Sequence, residues 1–449
     1  MTASTTIDRA TFLDCLQQSR LLTADQWGRA KQLSAQSARQ LADALIQLGW
    51  ITRYQAERLL HGKTNGFFLE QYRILEPLGK GGMGRVFRAR HETMRRIVAL
   101  KIVSSELTRT KHARQVFERE VQASAQLTHP NLVTAFDANQ LEGRCYLVME
   151  YIDGLTLQKW VDRNGPMSVR HALEVVRQAA TGLGFAHRHG MVHRDIKPAN
   201  LILHQVVTGI PRTPDFPYLV KILDFGLARF AQHAGSDPSQ VGEHSIVIGA
   251  GGLVGTPDFM APEQARDIHS ADARSDLYSL GGVLYFLLTG KYPYPGGTAV
   301  EKLVRSSTED PTPIRQLRSD LPAEVAELAH RMLQRQPEHR FATAEAVIEA
   351  IDALMAKLMP DPTIPFEVHA SHTDTARNPV TAIQPREVSP AASPWAELDE
   401  TIEADLPGVV GLTTRILSVP SPWWVTWMPA MMLTAVGVIV AIVAWLLLR

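Results

Sequence analysis

The sequence predicts an α+β fold in which a small β-rich lobe precedes a larger α-rich one. Three observations carry that expectation. Residues 72–101 alternate β-branched and polar side chains around a glycine-rich turn, the period-2 pattern of paired strands. From residue 114 onward apolar residues recur at helical spacing instead. A chain of 449 residues with a 45% hydrophobic share is also long enough for two or three domains and at least one large core.

Taken in order, residues 1–65 form a separate helical module. Leu41, Leu45 and Leu48 repeat at helical spacing, Gly49 offers a C-terminal stop, and Thr52 is placed to cap a helix over 53–61. No chemical motif occurs here, so a small interaction or packing module is expected. In the helix predicted over 114–127, Val116, Phe117, Val121, Ser124 and Leu127 share one face, and Glu120 lies on it. A carboxylate on an apolar face needs a partner, because an unpaired buried charge is costly. Ser168 then caps a helix with Ala172, Val175, Val176, Ala179 and Leu183 inward, stopped at Gly190. Leu277, Leu280, Leu284 and Leu287 mark another, ended by Gly290.

Beyond residue 354 the composition changes. Residues 360–428 hold ten prolines and three Lys+Arg against nine Asp+Glu, which favours a flexible acidic linker over a packed core; a short acidic helix over 395–406 is the alternative. Residues 430–448 are 19 without a charge, about 28 Å as a helix, close to a bilayer core. Trp423, Trp424 and Trp427 precede the run and Trp445 stands near its end, as interfacial aromatic belts do. A single-pass transmembrane helix is expected, with a buried core helix as the alternative. The formal charge of zero gives no reason to expect nucleic acid. Cys15 and Cys145 are far apart and in no CxxC pattern, which suits reduced thiols. No signal peptide is expected, since no apolar run follows a basic start.

The chemistry lies in the middle. His193-Arg194-Asp195-Ile196-Lys197-Pro198-Ala199-Asn200 is followed by Asp224-Phe225-Gly226 and then by Ala261-Pro262-Glu263. An acid that can accept a hydroxyl proton, beside an amide and a carboxylate that can hold Mg²⁺, is the set that phosphoryl transfer needs. In this order the three motifs are a protein-kinase signature. Across roughly residues 72–354 the chain resembles the eukaryotic-like serine/threonine protein kinases of bacteria. The resemblance implies a bilobal protein-kinase fold, an ATP- and Mg²⁺-dependent transfer of the γ-phosphate to Ser or Thr hydroxyls of protein substrates, and intracellular signalling.

Gly79-Lys80-Gly81-Gly82-Met83-Gly84 fits G-x-G-x-x-G. A dinucleotide site would need a helix after it, but Arg85-Val86-Phe87-Arg88-Ala89-Arg90 reads as a strand, and no P-loop ending is present. Lys101 ends Val98-Ala99-Leu100-Lys101, so Ala99 and Lys101 share a strand face. By resemblance Leu78 through Val86, with Arg85 included, cover ATP. Lys101 meets its α- and β-phosphates, and Glu120 is the ion-pair partner of Lys101. The stretch Tyr146 to Ile152 resembles the hinge whose backbone meets adenine at Glu150 and Ile152, with Met149 behind the base. Asp195 is assigned as catalytic base and Lys197 as the cation that compensates charge on the transferring phosphate. Asn200 and Asp224 are assigned as Mg²⁺ ligands.

Other residues divide between chemistry and scaffold. His187, His189 and His193 match no zinc spacing. By resemblance, His193 packs in the catalytic loop, Asp276 braces that loop, and Glu263 pairs with Arg340; helix capping is the alternative for Asp276. The interval from Asn200 to Asp224 is long for the family, as is that from Asp224 to Glu263, which holds Ser236, Ser239, Ser245 and Thr256. Arg194 in the resembling family pairs with an activation-segment phosphate, so these four are candidate phosphosites, with Thr256 alternatively docking substrate. A homodimer would allow phosphorylation in trans. A pseudokinase scaffold that only holds nucleotide is the main rival, disfavoured because Lys101, Asp195 and Asp224 are all present. A small-molecule kinase is disfavoured by the complete A-P-E segment. Requiring ATP places the catalytic region on the cytoplasmic side of an inner membrane, with no external sensor domain.

Overall fold

The structure, a computed structural model, describes residues 7–205, 216–225, 248–249, 252–253, 257–267 and 270–358. Gly226, the four candidate phosphosites, the acidic stretch and the apolar run over 430–448 lie outside the described residues. Among the described residues no helix is long and apolar enough to cross a membrane.

Four short helices open the chain: α1 Arg9–Gln18, α2 Ala24–Gln32, α3 Ala38–Gln47 and α4 Arg53–Leu60. Each starts at a capping side chain, Asp8, Thr23, Ser37 and Thr52, and Thr23 and Thr52 form reciprocal boxes with Gln26 and Gln55. A cap of this kind contributes about 1 kcal/mol, a large share for helices of two or three turns. Phe12, Leu16, Leu41, Leu45 and Leu59 fill the module's core. Leu48 departs from the expectation and is 44% exposed. Leu48 is the C-cap of α3, its N–H still bonded to the Ala44 carbonyl, and the left-handed Gly49 (φ +67°) turns the chain away directly after it, so Leu48 stands at the open end of the helix.

The β-rich lobe is one antiparallel six-stranded sheet in the order β1-β2-β3-β4-β6-β5. Its strands are β1 Phe68–Leu69, β2 Tyr72–Gly81, β3 Gly84–His91, β4 Arg96–Val103, β5 Ala135–Leu141 and β6 Arg144–Glu150. One sheet face carries Ile74, Phe87, Ala89, Leu100 and Tyr146. The other carries Ala99, Val103, Leu147 and Met149, and packs against Phe117 and Val121 of α5, Lys111–Ala125. Helix α5 starts three residues before the predicted 114, because Thr110 caps it through the N–H of Ala113.

Below the sheet come β7 Gly154–Thr156, α6 Leu157–Asn164 and α7 Val169–Arg188, then β8 Leu201–Gln205 and β9 Tyr218–Ile222. Five helices follow: α8 Pro262–Arg266, α9 Ala273–Thr289, α10 Ala299–Thr308, α11 Ile314–Leu317 and α12 Ala323–Met332; α13 Ala344–Leu358 is the last described element. Helix α7 is capped by Ser168 as the sequence predicts, and all five of its expected inward residues are buried. Helix α9 buries fourteen of its seventeen residues and ends at left-handed Gly290. Such an all-round apolar helix can only lie in the middle of a lobe. It packs against α7 and α12 and so forms the platform under the catalytic loop.

Candidate active site

The loop from His193 to Asn200 runs between α7 and β8, and its geometry is set by one carboxylate. Asp276, fully buried in the first turn of α9, accepts the backbone N–H of His193 through Oδ2 and that of Arg194 through Oδ1, both at 2.8 Å. His187 Nε2 lies 2.8 Å from the same Oδ2. Burial alone would raise this carboxyl group; the contacts with His187 and His193 together outweigh it and hold Asp276 below the ordinary aspartate range. Capping of α9 falls instead to Asp272, so Asp276 is free to brace the loop. His187 is thereby accounted for without a metal. His193 Nε2 donates to the Leu223 carbonyl at 2.7 Å, while its Nδ1 accepts from the N–H of Asp195 at 3.2 Å. The ring ties the catalytic loop to the segment carrying Asp224.

Arg194 (φ +67°) and Asp224 (φ +60°) both occupy the left-handed region that non-glycine residues rarely adopt. Strain of about 1–3 kcal/mol each persists only where the surroundings impose it. For Arg194 the restraint is visible: its N–H is held by Asp276 and its carbonyl by Gln264 Nε2 at 3.2 Å.

The expected chemical residues converge. Lys197 Nζ stands 3.0 Å from Asp195 Oδ1 and 2.7 Å from Oδ2. Asn200 Nδ2 donates to the Asp195 carbonyl at 2.8 Å and to its Oδ2 at 3.0 Å. Among the described residues, the hydrogen bonds of the Asn200 side chain are made by its nitrogen, not its amide oxygen. Lys101, at the buried centre of β4, reaches Asp224 Oδ2 at 2.8 Å. Desolvation opposes the charge on Asp224, but the Lys101 ammonium, with His193 and Lys197 nearby, outweighs it and keeps this carboxylate below its ordinary range. Glu120 is buried on the inner side of α5 with Ala113, Phe117 and Val121. The two oxygen donors, Asn200 and Asp224, are linked through the backbone, since the N–H of Leu223 donates to the Asn200 carbonyl at 2.9 Å. Hard oxygen donors with no sulfur or imidazole suit Mg²⁺.

Above them, β2 and β3 meet in a hairpin with Gly79 opposite Val86, Lys80 opposite Arg85 and Gly81 opposite Gly84. Its glycines serve two purposes. A Cβ at Gly79, Gly81 or Gly82 would meet nothing within 4 Å, so their bareness keeps the approach to the backbone open. Gly84 (φ +136°) is needed for packing, because a Cβ there would sit 2.0 Å from the Ile102 carbonyl oxygen. Arg85 is buried and shares the strand face of Phe87 and Ala89, turned away from Val86 and the α5 side, so only its backbone belongs to the loop. The reason is strand alternation.

At the hinge, Met149 is buried and lines a cavity with Leu127, Leu132, Leu147, Asp224 and Phe225. Glu150 is held by Lys221 Nζ at 2.8 Å, and its N–H donates to the Thr134 carbonyl at 2.9 Å. Lys221 was not among the expected residues. A lone cation in the apolar run Tyr218-Leu219-Val220-Lys221-Ile222-Leu223 was the available signal, since a buried ammonium requires a partner. Farther out, Arg340 makes a two-pronged pair with Glu263 at 2.7 and 2.8 Å, and Ser275 Oγ donates to Glu263 Oε1 at 2.7 Å. Burial opposes the charge of Glu263, and Arg340 holds it below the usual glutamate range.

This arrangement agrees with comparison to known proteins. The protein kinase domain family matches residues 72–350. The serine/threonine-protein kinase PknB of Mycobacterium tuberculosis is 37% identical over 285 residues, 63% of this chain and 42% of that protein. The serine/threonine-protein kinase pkn3 of Myxococcus xanthus is 36% identical over 299 residues, 65% of this chain and 51% of that protein. The chain thus spans about half, or less, of the length of these curated relatives. The match of the family over most of the chain, on a site whose loop, lysine and carboxylates are assembled as described, means that the chain belongs to the protein kinase domain family.

Proposed function

We propose that this protein is a serine/threonine protein kinase that transfers the γ-phosphate of ATP to hydroxyls of protein substrates. The observation that carries the reading is the Asp195 carboxylate, fixed by Lys197 and Asn200 in a loop hung from buried Asp276. Asp195 orients the substrate hydroxyl and takes its proton as the new P–O bond forms. Lys197, already against Asp195, balances charge on the transferring group. Asn200 and Asp224 would hold Mg²⁺, which when bound screens the phosphate oxygens. Lys101 meets the α- and β-phosphates, Gly79 to Gly84 cover them with backbone amides, and the hinge backbone at Glu150 and Ile152 receives the base. The pairing of Lys101 with Glu120 belongs to the same reading. A nucleotide-holding scaffold without activity is disfavoured, because Lys101, Asp195 and Asp224 are all present and converge. The test is to incubate the protein with ATP and Mg²⁺ and map phosphorylated residues by mass spectrometry. Phosphate on serine or threonine is expected; none on either the protein or a generic substrate would sink the reading.

The same reading extends to regulation and location. Phosphorylation in trans between two copies, among Ser236, Ser239, Ser245 and Thr256, would add a group of about −1.5 to −2 charge of the kind that an arginine such as Arg194 can pair. Full activity in a preparation free of phosphate would count against it. The uncharged run over 430–448 with its flanking tryptophans supports a membrane anchor, with the kinase domain on the cytoplasmic side where ATP is. Deleting 430–449 should give a protein that no longer sediments with membranes after a high-salt wash.

A further inference from the structure

The helical module at the start of the chain touches the strand that leads into the glycine loop, and the contact is specific. Strand β1 pairs with β2 as far as Arg73, and the Ile74 N–H still donates to the Phe67 carbonyl at 2.8 Å. Beyond Arg73, the next two carbonyls of β2 accept from side chains of the module. Gln55 Nε2 donates to Ile74 O at 2.6 Å, and Thr52 Oγ1 donates to Leu75 O at 2.6 Å. Gln55 is fully buried, and its Oε1 accepts the N–H of Thr52 at 2.9 Å, so the amide cannot turn without losing both bonds. Arg73 Nη2 donates back to the Trp50 carbonyl at 2.8 Å.

The position of this contact on β2 matters. The register between β2 and β3 slips between Ile74 and Glu76, leaving Leu75 without an opposite residue, and slips again between Pro77 and Gly79. A bulge re-aims everything that follows it on the strand. Four residues after Leu75 the glycine loop begins. Tyr54, between Thr52 and Gln55, packs against the sheet cluster that contains Phe87, and buried Arg85 lies on that same face of β3.

We infer that Thr52 and Gln55 are positioning residues for nucleotide binding, holding the β2 bulge from outside and so setting where Gly79 to Gly84 lie over the phosphates. This rests on the reading of that loop as the phosphate cover. Two carbonyls are pinned at and beside a bulge by side chains of the N-terminal helical module. Without them the bulge is free to shift along β2, the loop samples more positions, and bound nucleotide loses its amide partners.

The test uses the full chain. Thr52→Asp keeps an oxygen able to cap α4 but removes the donor to Leu75 O, whereas Thr52→Ser keeps both. Gln55→Leu removes the donor to Ile74 O at similar volume. Thr52→Asp and Gln55→Leu should each raise KM for ATP about three- to tenfold with kcat within about twofold, and speed amide exchange in 73–86. Thr52→Ser should match the parent in both. A purely structural cap predicts that Thr52→Asp behaves like Thr52→Ser, and that result would overturn the inference. So would faster exchange with an unchanged KM. Gly82→Val serves as the reference for the underlying reading. If it too leaves KM unaltered, the phosphate-cover assignment itself fails, whereas a raised KM there with parental values for Thr52→Asp isolates the failure to the clamp.

Discussion

Below the cleft, the catalytic loop hangs from groups held away from water: Asp276 takes two backbone N–H groups at zero exposure, and buried Arg340 forks onto Glu263. Above the cleft, three of the four glycines of the loop have open space where a side chain would be, and the strand leading into them is pinned at its outer edge by two hydrogen bonds from the N-terminal helices. The difference follows from what each side must do. Charges that act on a reacting group gain from a fixed, dry setting in which little reorganisation is needed. On the proposed reading, a cover over phosphates must admit and release a nucleotide at every turnover, and glycines with open space around them leave room for that.

That contrast can be broken from below first. Asp276→Ala would strand the N–H groups of His193 and Arg194 in the interior, at about 1–3 kcal/mol each. Thermal denaturation should show a midpoint lowered by on the order of 10 °C, and phosphotransfer should be lost with it. Next, Arg340→Met leaves the half-buried Glu263 carboxylate facing an apolar chain. Breaking such a pair costs about 3–5 kcal/mol, measurable by urea denaturation, with activity falling in proportion to the folded fraction.

The upper lobe offers a sharper pair. Gly84→Ala forces a Cβ against the Ile102 carbonyl at a φ of +136° and should cost at least about 1–3 kcal/mol. Gly82→Ala meets nothing within 4 Å and should leave the melting temperature within experimental error. Equal losses from the two would contradict the division between a packing glycine and open ones. The smallest effect concerns pH. The carboxyl of Glu263 is held below its ordinary value of 4.5, so the stability it contributes is complete above that value and is lost as pH falls through the lowered native one. Glu263→Gln should therefore be less stable than the parent at neutral pH, and the gap should narrow as pH drops below about 4.5. A gap that stays constant down to acid pH would argue against the linkage.

Legibility in the sequence varied with distance along the chain. Asp195, Lys197 and Asn200 sit within six residues of one another, so their spacing alone brings them together, and helices α7 and α9 follow from caps and apolar periodicity. Asp276 was ambiguous because an acid near a helix start is equally a cap; only the fold, with Asp272 in that place, separates the two. Leu48 looked inward because periodicity does not say where a helix ends. Arg85 was assigned to the loop by motif membership, while strand alternation turns its side chain away. Lys221 and Gln55 were missed for a different reason: their partners, Glu150 and Ile74, lie 71 and 19 residues away, and no local pattern encodes such a meeting.

The central claim is that Asp195, held by Lys197 and Asn200, acts on the substrate hydroxyl, whereas nucleotide is held by other residues. The most direct measurement is single-turnover phosphotransfer by Asp195→Asn, paired with MgATP affinity on the same preparation. General-base assistance contributes roughly 10²- to 10⁴-fold, so the account predicts a loss of that order with affinity within about twofold of the parent. Phosphotransfer comparable to the parent, or a loss explained entirely by weaker nucleotide binding, would contradict it.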